Sequence, residues 1–321
     1  MVLEEVKIDD LNKIFDQKSK EVLNYLLQRT VISYPEFLPG QNDTALYLEK
    51  KQCEQWIVQA LGLKPVGEGS YPIDGINNKR GFDVSSLALG QSKTGKMNSA
   101  SGEKSLGQKF ADENFGNAED NLDNLFQSRN YEQIITAWKE ILKKKWSQAV
   151  RDNNLEELYL VNLILYKPER RLYVMLLKIN QENLNQTSKG KISKESVFLK
   201  DFIDDKLGNA KIYKAKKRLE LRLKPREFIK NKSYLSFQIE GKVNSRNLRE
   251  IFNNKNKRNK YLLKEVKTFK KFFSKLKRGF TNYFSNFSYQ SNCHSIACLF
   301  ISLRNWHIIW KLKTFRKALK I

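Results

Sequence analysis

The stretch Tyr71-Pro72-Ile73-Asp74-Gly75-Ile76-Asn77-Asn78-Lys79-Arg80-Gly81-Phe82-Asp83-Val84-Ser85-Ser86-Leu87-Ala88-Leu89 decides how this chain is read. Asn77, Asn78 and Gly81 supply turn chemistry, while Phe82, Val84 and Leu87 to Leu89 supply strand propensity with a buried component. The pattern predicts a carboxylate at one strand end facing a second carboxylate on the returning strand. A period of two sends Asp83 and Ser85 to one face of that strand and Phe82 and Val84 to the other. Taken singly, Asp74 reads as a turn residue before Gly75 and Asp83 as an edge-strand charge. Together, in one short window, they predict a divalent-metal site, because a hard cation such as Mg²⁺ is satisfied by one or two carboxylates plus substrate phosphate.

Outward from this window the chain reads as α/β, a central mixed sheet flanked by helices. Helical spacing runs through Leu11, Ile14, Phe15, Val22, Leu23, Leu26 and Leu27, and again through Leu46, Leu48, Trp56, Ile57, Val58 and Leu61. These helices are expected to pack over the sheet and to form an N-terminal helical part of the core over residues 1–70. Gly90 to Gly102 reads as a polar loop. Leu122, Leu125 and Phe126 predict a short amphipathic helix, and Ile134, Ile135, Trp138, Ile141, Leu142 and Trp146 a long one. Leu155–Tyr166 and Arg171–Ile179 are apolar runs divided by Lys167-Pro168-Glu169, which predicts a hairpin. The α/β core with its basic strand is placed at residues 71–250.

Charge is distributed unevenly. Residues 1–210 carry 29 Lys and Arg against 30 Asp and Glu, whereas residues 211–321 carry 30 against 5, so the formal net charge of +24 comes from the last third. Such asymmetry points to a polyanionic partner, since Lys and Arg that neutralise phosphates release counterions. Within it, Ile212, Leu219, Leu221 and Leu223 sit among Lys214, Lys216, Lys217, Arg218, Arg222 and Lys224, a basic strand broken by Pro225. These six cations are the expected DNA-binding residues; the competing reading is a solvated edge strand blunted by lysines.

Residues 251–321 form a Lys/Asn/Phe-rich extension with no acid after Glu265. Two readings stand: aberrant coding sequence from a frameshift in an AT-rich gene, or a basic arm whose rings stack on nucleic-acid bases. The longest late apolar run, Ser295 to Leu303, is far shorter than the roughly 20 residues of a membrane span. Three cysteines make no disulfide framework, and no secretory segment follows Met1, so a cytoplasmic location without membrane association is expected. Cys293, His294, Cys298 and His307 match no zinc spacing. With two histidines in the chain, a Ser-His-Asp or Cys-His hydrolase is disfavoured, and Gly90 to Lys96 lacks the glycine spacing of a phosphate loop.

The arrangement Pro72-Ile73-Asp74 followed by Asp83-Val84-Ser85, inside an α/β core with a basic back half, resembles the PD-(D/E)xK nuclease superfamily and its type II restriction endonucleases. Gly102-Glu103-Lys104-Ser105-Leu106-Gly107-Gln108-Lys109-Phe110 adds to the likeness, which spans about residues 40 to 240. The resemblance implies a restriction-endonuclease-like fold, Mg²⁺ as cofactor with no small-molecule cofactor, double-stranded DNA as substrate, and a homodimer. It implies that Asp74 and Asp83 hold the metal and that a lysine two residues after the second acid orients or activates water. Ser85 stands where that lysine belongs and cannot supply positive charge. Lys93 is the expected catalytic substitute, with Lys79, Lys104 and Lys109 as alternatives, and Glu103 is the expected third metal ligand. The function so implied is hydrolysis of phosphodiester bonds at a short DNA site. Against it stand a non-catalytic nucleic-acid-binding protein, which the Ser85 departure favours, and a protein whose Lys/Phe-rich tail lies on anionic lipid.

Overall fold

The computed structural model describes residues 1–33, 38–40, 48–66, 71–107, 122–240 and 247–284. The chain divides into two compact units, Met1–Arg246 and Asn247–Ile321. The first is α/β and contains two sheets.

A mixed seven-stranded sheet has the order β1-β7-β6-β4-β3-β2, with β12 also pairing β7. Its strands are β1 (Leu3–Glu5), β2 (Lys64–Pro65), β3 (Gly75–Asn77), β4 (Arg80–Leu89), β6 (Glu157–Tyr166), β7 (Arg171–Ile179) and β12 (Leu235–Gln238). The turn expected at Asn77 to Gly81 forms, with Asn78 and Lys79 both at positive φ, and β3 pairs antiparallel with β4 through Gly75↔Phe82 and Asn77↔Arg80. A left-handed pair at the centre of a two-residue connection is what matches strand twist in a tight hairpin. From β4 the chain crosses through α4 (Leu122–Gln127) and α5 (Tyr131–Asn153) to β6, which lies parallel to β4 with Asp83 opposite Leu160. β6 and β7 then form the expected antiparallel hairpin, turned by a 3₁₀ segment at Lys167–Glu169.

Alternation along β4 and β6 divides the core. Phe82 and Val84, with Tyr159, Val161, Leu163 and Leu165, pack on one face against Leu11 of α1 (Ile8–Ile14), Leu23 and Leu27 of α2 (Gln17–Ser33) and Trp56 and Ile57 of α3 (Lys50–Ala60). Leu87 and Leu89, with Leu158, Leu160 and Ile164, pack on the other against Trp138, Leu142 and Trp146 of α5. A strand buried on both faces has to be apolar almost throughout, which is why Leu158–Tyr166 reads as a continuous run. The single helix expected over residues 11–28 is two, because Asp16 Oδ1 accepts from the Ser19 backbone N–H at 2.8 Å and restarts the helix there.

The second sheet is a correction to the expected single one. It has the order β5-β11-β10-β9-β8, built from β5 (Glu103–Ser105), β8 (Ser188–Ser193), β9 (Ser196–Lys200), β10 (Gly208–Tyr213) and β11 (Arg218–Leu223). The basic stretch 211–224 is therefore a hairpin of β10 and β11 rather than one strand, with Ile212 paired to Leu219 and Tyr213 to Arg218. Its alternate residues Ala210, Ile212, Leu219, Leu221 and Leu223 enter the same core as α5. Pro225 starts α6 (Pro225–Lys230), at a position where its missing N–H is harmless.

The second unit contains α7 (Leu248–Asn253) and α8 (Lys255–Phe284). Asn247 caps α7 by accepting from the Glu250 backbone N–H, and Phe252 meets Tyr261 edge-on at 6.2 Å. Along α8 the sequence spaces Leu262, Val266, Phe269, Phe273, Leu276, Phe280 and Tyr283 alternately four and three residues apart, with lysines between. That is the period of a helix with one apolar stripe. Among the described residues no helix is long and apolar enough to cross a membrane.

Candidate active site

Asp74 stands immediately before β3, where the short strand turns beside β4. Its backbone N–H donates to Phe82 O at 2.8 Å, and its Oδ2 accepts from the Val84 N–H at 2.6 Å. Two hydrogen bonds to the neighbouring strand fix both the backbone and the carboxylate. Asp83 rises from β4 on the face turned toward α5, and β5 brings Lys104 to it.

Lys104 Nζ lies 3.1 Å from Asp83 Oδ1 with its side chain only 3% exposed. Lys145, from α5, approaches the other oxygen: its Nζ is 3.8 Å from Oδ2 and donates to Leu106 O at 3.1 Å. A carboxylate that is itself 17% exposed is thus held between two amines from different elements. Burial pushes the Lys104 amine below the usual lysine range, opposed by the Asp83 charge beside it, while Lys145 adds to the lowering. Burial also lifts Asp74 to about 6; the Val84 N–H resists that rise, and the charges of Asp83 and Glu54 assist it. Glu54 belongs to α3, so a third carboxylate acts on the same point from across the strand.

The expected site residues separate. Asp74 is bonded to the backbone of Phe82 and Val84, on either side of Asp83, whose charge acts on it. Ser85, one alternation beyond Asp83, is 8% exposed and sits in register opposite Asn162. Lys93, the expected catalytic lysine, is instead exposed in the loop after β4, on a turn where Ser92 N–H donates to Lys96 O at 2.8 Å. The loop folds back on itself through the Gln91↔Met97 bridge, which carries Lys93 out to solvent. Lys79 is ion-paired to Glu156, and Lys109 lies outside the described residues. The lysine at the acids is Lys104, one of the alternatives.

Glu103, the expected third metal ligand, also takes a different place. Successive residues of a strand point to opposite faces, so with Lys104 turned to Asp83, Glu103 turns away. It accepts from Tyr213 Oη at 2.5 Å and Lys216 Nζ at 2.6 Å, pairs with Arg222 Nη2, and lies 3.7 Å from Lys211 Nζ. Burial disfavours its charge, but hydrogen bonds from Glu220, Lys216 and Tyr213 and the Arg222 charge outweigh burial and hold the carboxyl far below the usual range. Of the six expected DNA-binding cations, Lys216 and Arg222 are committed to this network. Lys217 pairs with Asp123 at 3.2 Å, and Lys224 donates to Asp205 O at 2.6 Å. Lys214 lies in the β10–β11 turn, and Arg218, at the start of β11, is exposed.

Sequence reasoning missed Lys145 and Glu54. The signal for Lys145 is its position: three residues after Leu142, seven after Trp138 and four before Ala149, all buried, it is a lysine on the apolar stripe of α5. Lys143 and Lys144 beside it disguise that. Cys293, His294, Cys298 and His307 lie outside the described residues, and among those described no group of three or more His, Cys, Asp and Glu is placed to hold a metal ion. Two hard oxygen donors remain at Asp74 and Asp83. That set fits Mg²⁺, which keeps several waters and takes only one or two carboxylates from protein. No family model, curated protein or solved structure matches the chain.

Proposed function

We propose that the chain is a Mg²⁺-dependent endonuclease that hydrolyses phosphodiester bonds of double-stranded DNA at a short specific site, a restriction-endonuclease-like enzyme of the PD-(D/E)xK type acting as a homodimer. The observation that carries this reading is the 3.1 Å contact of the buried Lys104 amine with Asp83, beside Asp74. An acid pair and one lysine are the set that the resemblance requires, and Lys104 stands in for the lysine missing at Ser85. The order of elements is consistent with it: a helix, three antiparallel strands with Asp74 just before the second and Asp83 on the third, and, after β5, a helical crossover to a parallel strand.

In this reading Asp74 and Asp83 would hold the cation, which when bound would polarise a phosphoryl oxygen and acidify a water. Asp74 is pre-set against β4 by its two hydrogen bonds, so the ligand geometry costs little reorganisation. Lys104, dry and fixed by Asp83, stabilises negative charge as it develops, where a low-dielectric setting makes one positive charge most effective. Lys214 and Arg218 remain for phosphate contacts outside the cleavage point.

The test is incubation of wild-type protein and Asp83→Ala with mixed plasmid and phage DNA, with Mg²⁺ or EDTA. Discrete fragments that require both Mg²⁺ and Asp83 are expected. Intact DNA throughout, with salt-sensitive binding retained, would replace this reading by that of a non-catalytic nucleic-acid-binding protein.

A further inference from the structure

We propose that Lys145 forms a second, separate subsite: it positions the scissile phosphodiester by holding one of its non-bridging oxygens. This inference rests on the nuclease reading above and assigns a role that the acid pair and Lys104 do not fill.

The two lysines at Asp83 are not equivalent. Lys104 makes a hydrogen bond to Oδ1 at 3.1 Å and is 3% exposed, so it is committed to the carboxylate and shut off from solvent. Lys145 stands 3.8 Å from Oδ2, beyond hydrogen-bond length, and its side chain is 21% exposed. Its one short contact is donation to Leu106 O at 3.1 Å. An ammonium has three donors, so the contact to Leu106 anchors the amine and leaves others for an incoming anion. The side chain leaves α5 between two anchored positions, since the adjacent Trp146 and the preceding Leu142 are each 1% exposed. The result is a partly exposed positive charge on a long helix, tethered to a backbone oxygen and 3.8 Å from a carboxylate.

Such an amine attracts a phosphate oxygen without needing to leave its tether. The two amines at the Asp83 oxygens divide the work: the buried Lys104 stays with the carboxylate, and the more exposed Lys145 takes the substrate. Holding a reacting phosphate in line governs how much of the bound substrate is productive, and misplacement of about 1 Å is enough for roughly a 100-fold loss.

The experiment uses full-length wild type, Lys145→Met and Lys145→Arg on a duplex carrying the mapped cleavage site. Steady-state cleavage is measured with Mg²⁺, duplex affinity with Ca²⁺ in its place, and thermal melting for each protein. For Lys145→Met we expect KM and the Ca²⁺-supported dissociation constant to rise about 10-fold or more, with an unchanged melting temperature and a smaller loss in kcat. Lys145→Arg, which keeps a donor and the charge, should recover most of the affinity. Unchanged KM and affinity in Lys145→Met would overturn the proposal while leaving the nuclease reading intact. So would equal loss in the Met and Arg variants. Failure of the wild type to cut any DNA would remove the nuclease reading itself.

Discussion

Glu103 and Lys104 are neighbours in the chain, yet they belong to two clusters of opposite character. On one side of β5, the buried Lys104 meets Asp83, which Lys145 also approaches, and the charges of Asp83, Glu54 and Lys104 act on the neighbouring Asp74. On the other, Glu103 lies among Lys211, Lys216 and Arg222 and accepts from Tyr213 as well. Both sides set carboxylates against cations. What differs is how completely each carboxylate is compensated: Asp74 is lifted to about 6, mainly by burial, whereas hydrogen bonds and charge hold Glu103 low despite burial. An acid that the fold leaves poorly compensated is one whose charge a ligand can relieve. A fully paired acid such as Glu103 is a structural element, and on the proposed function the chemistry belongs to the inner cluster.

The largest effect that separates the two clusters comes from Lys104→Met. It keeps the side-chain length and removes the charge, and in single-turnover cleavage assays it should reduce the rate by about 1,000-fold, the upper scale for loss of one preorganised electrostatic group. A loss below 10-fold would return the inner cluster to the status of a buried ion pair.

Asp74→Asn should act in opposite directions on stability and on cleavage. The carboxyl's ordinary value is 3.8 and burial raises it to about 6, so the folded protein holds this proton more tightly than the unfolded chain. Ionised Asp74 therefore costs nothing below about pH 3.8, and its cost grows as pH rises to 6, reaching about 3 kcal/mol above that. Asn removes the cost, so urea denaturation at pH 8 should show a gain of about 2–3 kcal/mol, fading toward pH 4, while cleavage is lost. Cleavage by the wild type at limiting Mg²⁺ should likewise fall below about pH 6, as Asp74 takes up its proton.

Glu103→Gln should be milder and of the other sign. A depressed carboxyl contributes stability above its ordinary value of 4.5 and loses it as pH falls, so the variant should be less stable by about 1–2 kcal/mol at pH 7 and match the wild type in strong acid. Its cleavage rate, per folded molecule, should stay within about 3-fold of wild type; a loss as large as that of Lys104→Met would merge the two clusters into one site. The smallest effect belongs to Lys214→Ala and Arg218→Ala, each expected to weaken DNA binding a few-fold and to reduce the salt slope by about 1. Titration of binding at several salt concentrations measures this.

The proximity of Asp74 and Asp83 is legible in the sequence because both lie at one hairpin, where turn residues and a period of two act over a few positions. Asp74 and Asp83 are brought together by Asn78 and Lys79 at positive φ. The β6–β7 hairpin and α5 were legible for the same reason: their patterns are local and long. Lys104 and Lys145 reach Asp83 from a strand of another sheet and from a crossover helix, and nothing local to Asp83 encodes either. The second sheet was hidden because its strands are short and lysine-rich, so that Lys211 to Lys224 resembled one solvated edge instead of a hairpin with one buried face. In α8 the alternating spacing of Leu262, Val266 and Phe269 was present but masked by the density of lysine around it. Counting basic residues overstated the binding surface for a related reason: composition records charges, and it does not record that Lys216, Lys217 and Arg222 are already paired within the fold.

The three residues of β5 carry one more consequence. Within the strand, Glu103↔Arg222, Lys104↔Leu221 and Ser105↔Glu220 set one charged side chain on each face, while Ser101 and Leu106 N–H donate to Leu223 O and Leu219 O beyond its ends. A slip of one residue would exchange the faces of its side chains. It would drive Glu103 toward Asp74 and Asp83 and leave Arg222 and Lys216 without their shared anion, a penalty on both sides at once. Charge here acts as an alignment key, which makes the reversed pair Glu103→Lys with Lys104→Glu a mispairing signal written into the shortest strand of its sheet.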